Sequence, residues 1–84
     1  MLRFTVTKST RSARTGRLTL AHGSVETPVF MPCASLAVVK ACPADLVAAT
    51  GIEMLVCNAY HLWLRPGHEV VRELGGLHRF MGWE

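Results

Sequence analysis

The hydrophobic pattern of this chain changes period at Pro28, and that change limits the folds open to it. Before it, Phe4-Thr5-Val6-Thr7-Lys8-Ser9 and Arg17-Leu18-Thr19-Leu20 alternate apolar and polar residues, the period of half-buried strands. Ser12, Thr15 and Gly16 supply turn chemistry between the two, so an antiparallel pair is expected. His22-Gly23 makes a second turn, Ser24-Val25-Glu26 adds a short third strand, and Pro28 ends the pairing. After Pro28, Val29-Phe30-Met31 and Met54-Leu55-Val56-Cys57 are apolar without alternation, as strands covered on both faces are.

Helical signals separate those runs. Cys42-Pro43-Ala44-Asp45 puts Pro at a first helical position and a carboxylate in the first turn, both favourable at a helix start. Leu46, Val47 and Ala49 give that helix an apolar side, and Gly51 is its C′ residue. Pro66-Gly67 opens a second helix with Val70, Val71 and Leu74 on its buried side and Gly75-Gly76 at its end. Leu77 to Met81 forms one further helical turn. The order is an antiparallel ribbon followed by β-α-β-α, an α/β protein with parallel strands joined by right-handed crossovers. Pattern alone leaves a doubly wound sheet and a barrel equally open.

Length and composition set the outer limits. A domain of 84 residues buries only somewhat above ~60% of its unfolded surface, so independent stability is marginal. No apolar run approaches the ~18 residues of a membrane span. Met1-Leu2-Arg3-Phe4-Thr5 lacks the long apolar core of a secretory signal. The odd set Cys33, Cys42 and Cys57 suits free thiols in a reducing compartment, so a cytoplasmic protein is expected. Within a net charge of +3, Arg11, Arg14 and Arg17 recur around the first turn. Without interleaved aromatics they read as a solvated hairpin tip.

Chemistry in α/β proteins gathers where a buried strand surfaces. Asn58 stands at such a point, after Met54 to Cys57. Its amide both donates and accepts, which suits orienting a carboxylate or holding a ribose hydroxyl; the plainer role is an Asx turn leaving the strand. Cys33 and Ser35 after the first strand and Tyr60 after the second are weaker pocket candidates. His61 reads as a hydrogen-bonded structural residue, and Trp63, Leu64, His78, Phe80 and Trp83 as packing. Arg65-Pro66-Gly67 reads as a helix-entry device, with Gly67 permitting close backbone approach. Cys57-x3-His61 is half of a possible zinc site that Cys33 or Cys42 would have to complete. No compact second pair exists, so no metal site is expected in this segment.

Several ordered motifs resemble the N-terminal part of the queuine tRNA-ribosyltransferases, or tRNA-guanine transglycosylases. They are Ala13-Arg14-Thr15-Gly16-Arg17-Leu18, His22 through Pro32, Asn58-Ala59-Tyr60-His61-Leu62-Trp63-Leu64-Arg65-Pro66-Gly67, and Gly75-Gly76-Leu77-His78-Arg79-Phe80-Met81-Gly82-Trp83. The resemblance implies a modified (β/α)8 TIM barrel with its active site at the C-terminal strand ends. Residues 1–27 would be the N-terminal antiparallel β cap at the barrel bottom, and 28–84 the first two β/α units. It further implies exchange of guanine for a 7-deazaguanine, queuine or its precursor, at the wobble position of tRNAs for Asp, Asn, His and Tyr. Asn58 would lie beside a catalytic aspartate and the ribose, and the loops after both strands would line the base pocket. Lys40 falls in a region implied to help form a homodimer. The family's structural zinc is implied to be held by ligands absent from this chain.

The resemblance also says where the chemistry is missing. The family's nucleophilic aspartate belongs to an Asp-Ser-Gly-Gly motif just after the segment matching Gly82-Trp83, and a second essential aspartate comes much later. Asp45 is assigned to a helix start, Glu53 to the wrong strand end, Glu26 to the cap, and Glu69 and Glu73 to an exposed helix side. No catalytic residue is therefore expected within these residues, and by themselves they are expected to be inactive. Cys33-Ala34-Ser35 departs from the usual Val-Gly-Thr, and Cys57 and Ala59 replace the usual Gly and Thr around Asn58. Those departures keep alternative readings open: a non-catalytic accessory-subunit-like paralogue, a decayed gene product, or a relative acting on DNA.

Overall fold

Three strands and four short helices follow one another in the computed structural model, which describes residues 1–84. The strands are β1 (Arg3–Ser9), β2 (Arg14–Leu20) and β3 (Gly23–Thr27). The helices are α1 (Ala44–Ala49), α2 (Ala59–Leu64), α3 (His68–Glu73) and α4 (Leu77–Met81). Two compact units result, Met1–Phe30 and Met31–Glu84.

The first unit is an antiparallel sheet in the order β1-β2-β3, joined by tight turns. The Thr10 N–H donates to the Ala13 carbonyl at 2.8 Å and closes the first turn. Register follows from pattern. Phe4 lies opposite Leu18, and Leu18 opposite Val25, so three apolar residues share one face and Val25 is buried. Gly16 is buried on that same face because the Phe4 ring lies across it; a Cβ there would come within 2.5 Å of Phe4 Cζ and 2.8 Å of the Thr5 carbonyl. The Arg14 guanidinium sits 5.6 Å from the Phe4 ring centroid, a cation–π contact.

The opposite face is polar throughout. The Arg17 Nε donates to Glu26 Oε1 at 2.6 Å, the Ser24 hydroxyl to Thr19 Oγ1 at 3.3 Å, and the Thr7 and Thr15 hydroxyls share a bond of 3.0 Å. Thr5 lies opposite Arg17 and Arg3 opposite Thr19, so both join this face. The register shifts between Val6 and Lys8, a bulge that brings Lys8 opposite Thr15.

In the second unit the expected parallel strands shrink to one bridge, Cys33 to Val56. The Ala34 N–H donates to the Val56 carbonyl at 2.7 Å, and the Val56 N–H to the Pro32 carbonyl at 3.1 Å. Val29-Phe30-Met31 forms no strand, and Phe30 is 71% exposed. An apolar parallel strand needs elements on both faces, and these residues provide only fragments of such cover. The side of α3 expected to be buried is likewise open, with Val70 and Leu74 exposed and Val71 half-buried. In α1 only Val47 is buried, while Leu46 and Ala49 are exposed.

Helix ends are mostly where local chemistry puts them. Pro43 is the N-cap of α1 rather than its first helical residue, and Gly51 follows as C′. Gly75 and Gly76 close α3 by donating to the Arg72 and Val71 carbonyls, the two bonds of a Schellman motif. Gly67 caps α3 at φ +103, yet a Cβ there would meet only the Trp63 carbonyl at 3.9 Å. Its backbone angle requires glycine, and the expected close approach is absent. No helix is long and apolar enough to cross a membrane.

Candidate functional site

The Cys33–Val56 bridge sets the phase of the segment that ends in Asn58. Paired residues of a parallel ladder share a side, and alternation returns Asn58 to the side Val56 occupies. Asn58 then becomes the N-cap of α2 at φ −114, ψ 113. Its Oδ1 accepts from the Tyr60 N–H at 3.0 Å and from the His61 N–H at 3.4 Å. Asparagine is among the strongest N-caps because its carbonyl satisfies helix N–H groups that have no intrahelical partner. The accepting half of the amide is thus committed. The Nδ2 group makes no hydrogen bond within the chain and points the remaining chemistry one way: Asn58 can donate to an anionic or ether oxygen.

Helix α2 itself is absent from the pattern reading, which opens no helix between Gly51 and Pro66-Gly67. The signal was present in an Asn N-cap ahead of Ala-Tyr-His-Leu-Trp-Leu, a run without Gly or Pro. Only Leu62 is buried; Tyr60 and Trp63 are 67% and 62% exposed, and Leu64 is exposed. The Tyr60 and His61 rings meet edge to face with centroids 5.7 Å apart. Trp63 stacks on the ring of His68, which pattern does not single out. Trp63, though largely exposed, thus packs against the neighbouring helix through His68, whereas Leu64 is a surface residue and not the packing residue expected; Phe80 and Trp83 are half-buried and His78 is exposed.

The weaker pocket candidates separate. Cys33 is an exposed free thiol at the bridge, and Ser35 is exposed in the turn that follows, which the Ala37 N–H closes on the Ala34 carbonyl. Lys40 is exposed in a tight turn between Val39 and Cys42. Cys57 faces the other way from Asn58: its thiol donates to Met81 Sδ at 3.6 Å, tying the segment to α4. Burial pushes this thiol above its ordinary value of 9.0.

Asp45 is exposed in the first turn of α1, Glu69 in that of α3, Glu53 precedes the bridge segment, and Glu26 is paired with Arg17 in the sheet. None hydrogen-bonds Asn58, whose partners are the two backbone N–H groups. No three His, Cys, Asp or Glu residues gather in a metal-binding arrangement, so Cys57 and His61 do not fit a zinc site with the groups present.

Comparison with known proteins places the whole segment. The family model for queuine tRNA-ribosyltransferase matches residues 8–84. The queuine tRNA-ribosyltransferase of Moorella thermoacetica is 57% identical over 83 residues, covering 96% of this chain and 22% of that protein. That of Thiobacillus denitrificans is 52% identical, covering 99% of this chain and 23% of its own length. That of Desulforudis audaxviator is 59% identical over 71 residues, 84% of this chain and 19% of that protein. The chain therefore spans about a fifth of the length of the curated relatives it matches.

Proposed function

The chain belongs to the queuine tRNA-ribosyltransferase family, and from that premise we propose that residues 1–84 serve as the front of a tRNA-guanine transglycosylase. The sheet is the antiparallel cap of a (β/α)8 barrel, and the bridge at Cys33 and Val56 begins its first two parallel strands. The whole enzyme exchanges guanine for a 7-deazaguanine at the wobble position of tRNAs for Asp, Asn, His and Tyr, in queuosine biosynthesis. The observation that carries the reading is the match over residues 8–84. Asn58 supports it, because its donating Nδ2 group is left over after helix capping.

Chemically, exchange needs a carboxylate to hold or displace an electron-poor anomeric carbon. A carboxylate from outside residues 1–84 displaces guanine, and the incoming base then displaces the carboxylate. Asn58 Nδ2 donates to that carboxylate or to a ribose oxygen and fixes its orientation. Cys33, Ser35 and Tyr60 line the rim of the base pocket. Lys40 contributes to a homodimer contact, zinc is held by groups outside these residues, and the enzyme works in the cytoplasm.

Incorporation of radiolabelled guanine into tRNA tests the reading. The protein carrying these residues at its front incorporates label into the four cognate tRNAs and loses activity when Asn58 is replaced. Residues 1–84 by themselves give no incorporation above a blank. Label incorporated by the 84 residues unaided would overturn the proposal that the nucleophile lies outside them; no incorporation in either case would favour a non-catalytic accessory protein.

A further inference from the structure

We infer that the polar face of the β1-β2-β3 sheet is a contact surface for the phosphate backbone of RNA, carried by Arg3, Lys8 and Arg17. The identity of that RNA as tRNA rests on the function proposed above; the surface rests on charge and geometry. Charge is segregated in this chain. Met1–Phe30 holds five basic residues (Arg3, Lys8, Arg11, Arg14, Arg17) and one acid, Glu26, a net of +4. The remaining four basic and five acidic residues, a net of −1, lie in Met31–Glu84.

Register then concentrates the charge. Arg3 lies opposite Thr19, Arg17 opposite Thr5 and Lys8 opposite Thr15, so the three cations zigzag along one face with hydroxyls between them. Diagonal neighbours on a sheet are about 7–8 Å apart. Arg3 and Lys8 are exposed and have no acidic partner, and the Glu26 contact uses only the Nε of Arg17, leaving its terminal nitrogens to donate. Arg, Lys and Thr side chains are the usual donors to phosphate oxygens. The composition of the face selects among anionic partners. It presents no aliphatic or aromatic side chain to anchor in a protein pocket or bury in a membrane interface, since Phe4, Leu18 and Val25 are all on the other side. Backbone contacts of this kind position an RNA without reading its sequence, so the surface has no need to adjoin the exchanged base.

Fluorescence anisotropy of an end-labelled tRNA transcript, titrated with the protein across a salt series, tests this. Each phosphate contact contributes roughly 0.7–0.9 to the slope of log K against log salt. The Arg3→Gln/Lys8→Gln variant is expected to lower that slope by about 1.5, so its deficit against wild type shrinks by about tenfold between roughly 50 and 200 mM salt. The loss is equal for cognate and non-cognate tRNA, and the charge-retaining Arg3→Lys/Lys8→Arg variant keeps the wild-type slope. An unchanged slope in the Gln variant overturns the inference. So does an equal loss in the charge-retaining variant, or a loss confined to phosphatidylserine vesicles or an acidic peptide. A lowered slope without guanine exchange refutes the proposed reaction and leaves the surface standing; exchange with an unchanged slope does the reverse.

Discussion

Trp63, near the end of α2, stacks its indole on the imidazole of His68, the first residue of α3, with ring centroids 4.2 Å apart and planes inclined by 11°. The pair spans Leu64 to Gly67 and joins the two helices. Stacked aromatic pairs are worth about 0.5–1.5 kcal/mol beyond their buried area, and exposure of Trp63 puts this pair at the low end. A double-mutant cycle of Trp63→Ala and His68→Ala, read by urea unfolding, should give a coupling of about 0.5–1 kcal/mol. Additive single effects would show that the stack stabilises nothing.

Asn58 carries two separable duties, and two substitutions pull them apart. Asn58→Ala removes the acceptor for the Tyr60 and His61 N–H groups and should cost about 1 kcal/mol of stability. Asn58→Asp keeps an N-cap of equal rank but loses the Nδ2 donor. Its unfolding midpoint should match wild type, while guanine exchange falls as far as in the Ala variant. Exchange preserved in Asn58→Asp would assign the residue to helix capping alone.

Gly16 is indispensable for a steric reason. An alanine Cβ would lie 2.5 Å from Phe4 Cζ and 2.8 Å from the Thr5 carbonyl, and the second of these is backbone that cannot swing aside. Gly16→Ala should destabilise the sheet by about 1–3 kcal/mol, the range for overpacking. Adding Phe4→Ala relieves the ring clash and leaves the carbonyl, so the double variant should be less destabilised than the sum of the singles. Calorimetric unfolding of the four proteins decides it.

The Cys57 thiol titrates above its ordinary value because burial disfavours the thiolate. It should react with a chromogenic disulfide reagent more slowly than exposed Cys33 at mildly alkaline pH, since only the thiolate attacks. The sign for stability follows. The native state holds this proton more tightly than the unfolded chain, so its contribution is full below the unfolded value and is lost as pH rises through the folded one. Cys57→Ser should flatten the alkaline fall in the urea midpoint; an equally steep fall would mean that another group is responsible.

How much of this was legible without coordinates depended on the range of each signal. The sheet was readable because alternation at Phe4, Val6, Leu18 and Leu20 acts over a few positions, although of the residues read as the first turn only Ser12 lies there, while Thr15 and Gly16 are paired inside β2. The end of α1 at Gly51 and the turn of α4 were equally local. Runs such as Val29-Phe30-Met31 announce burial without naming what does the burying, so the reading of covered strands outran the cover these residues provide. Asn58 stood out by its chemistry, but the pattern did not reveal that a six-residue helix consumes its Oδ1. Nor could the contacts of Trp63 with His68, or Cys57 with Met81, be read from spacing, since each joins elements whose relative placement the pattern leaves free.

Two hydrogen bonds at Val56 have a wider effect than their number suggests. They clock the segment so that neighbouring residues look in opposite directions, with sulfur turned inward to α4 and the amide outward. Insert one residue between Val56 and Cys57, and the two exchange places, burying the carboxamide and stranding the thiol in its stead. Evolution can therefore repaint this stretch far more freely than it can resize it.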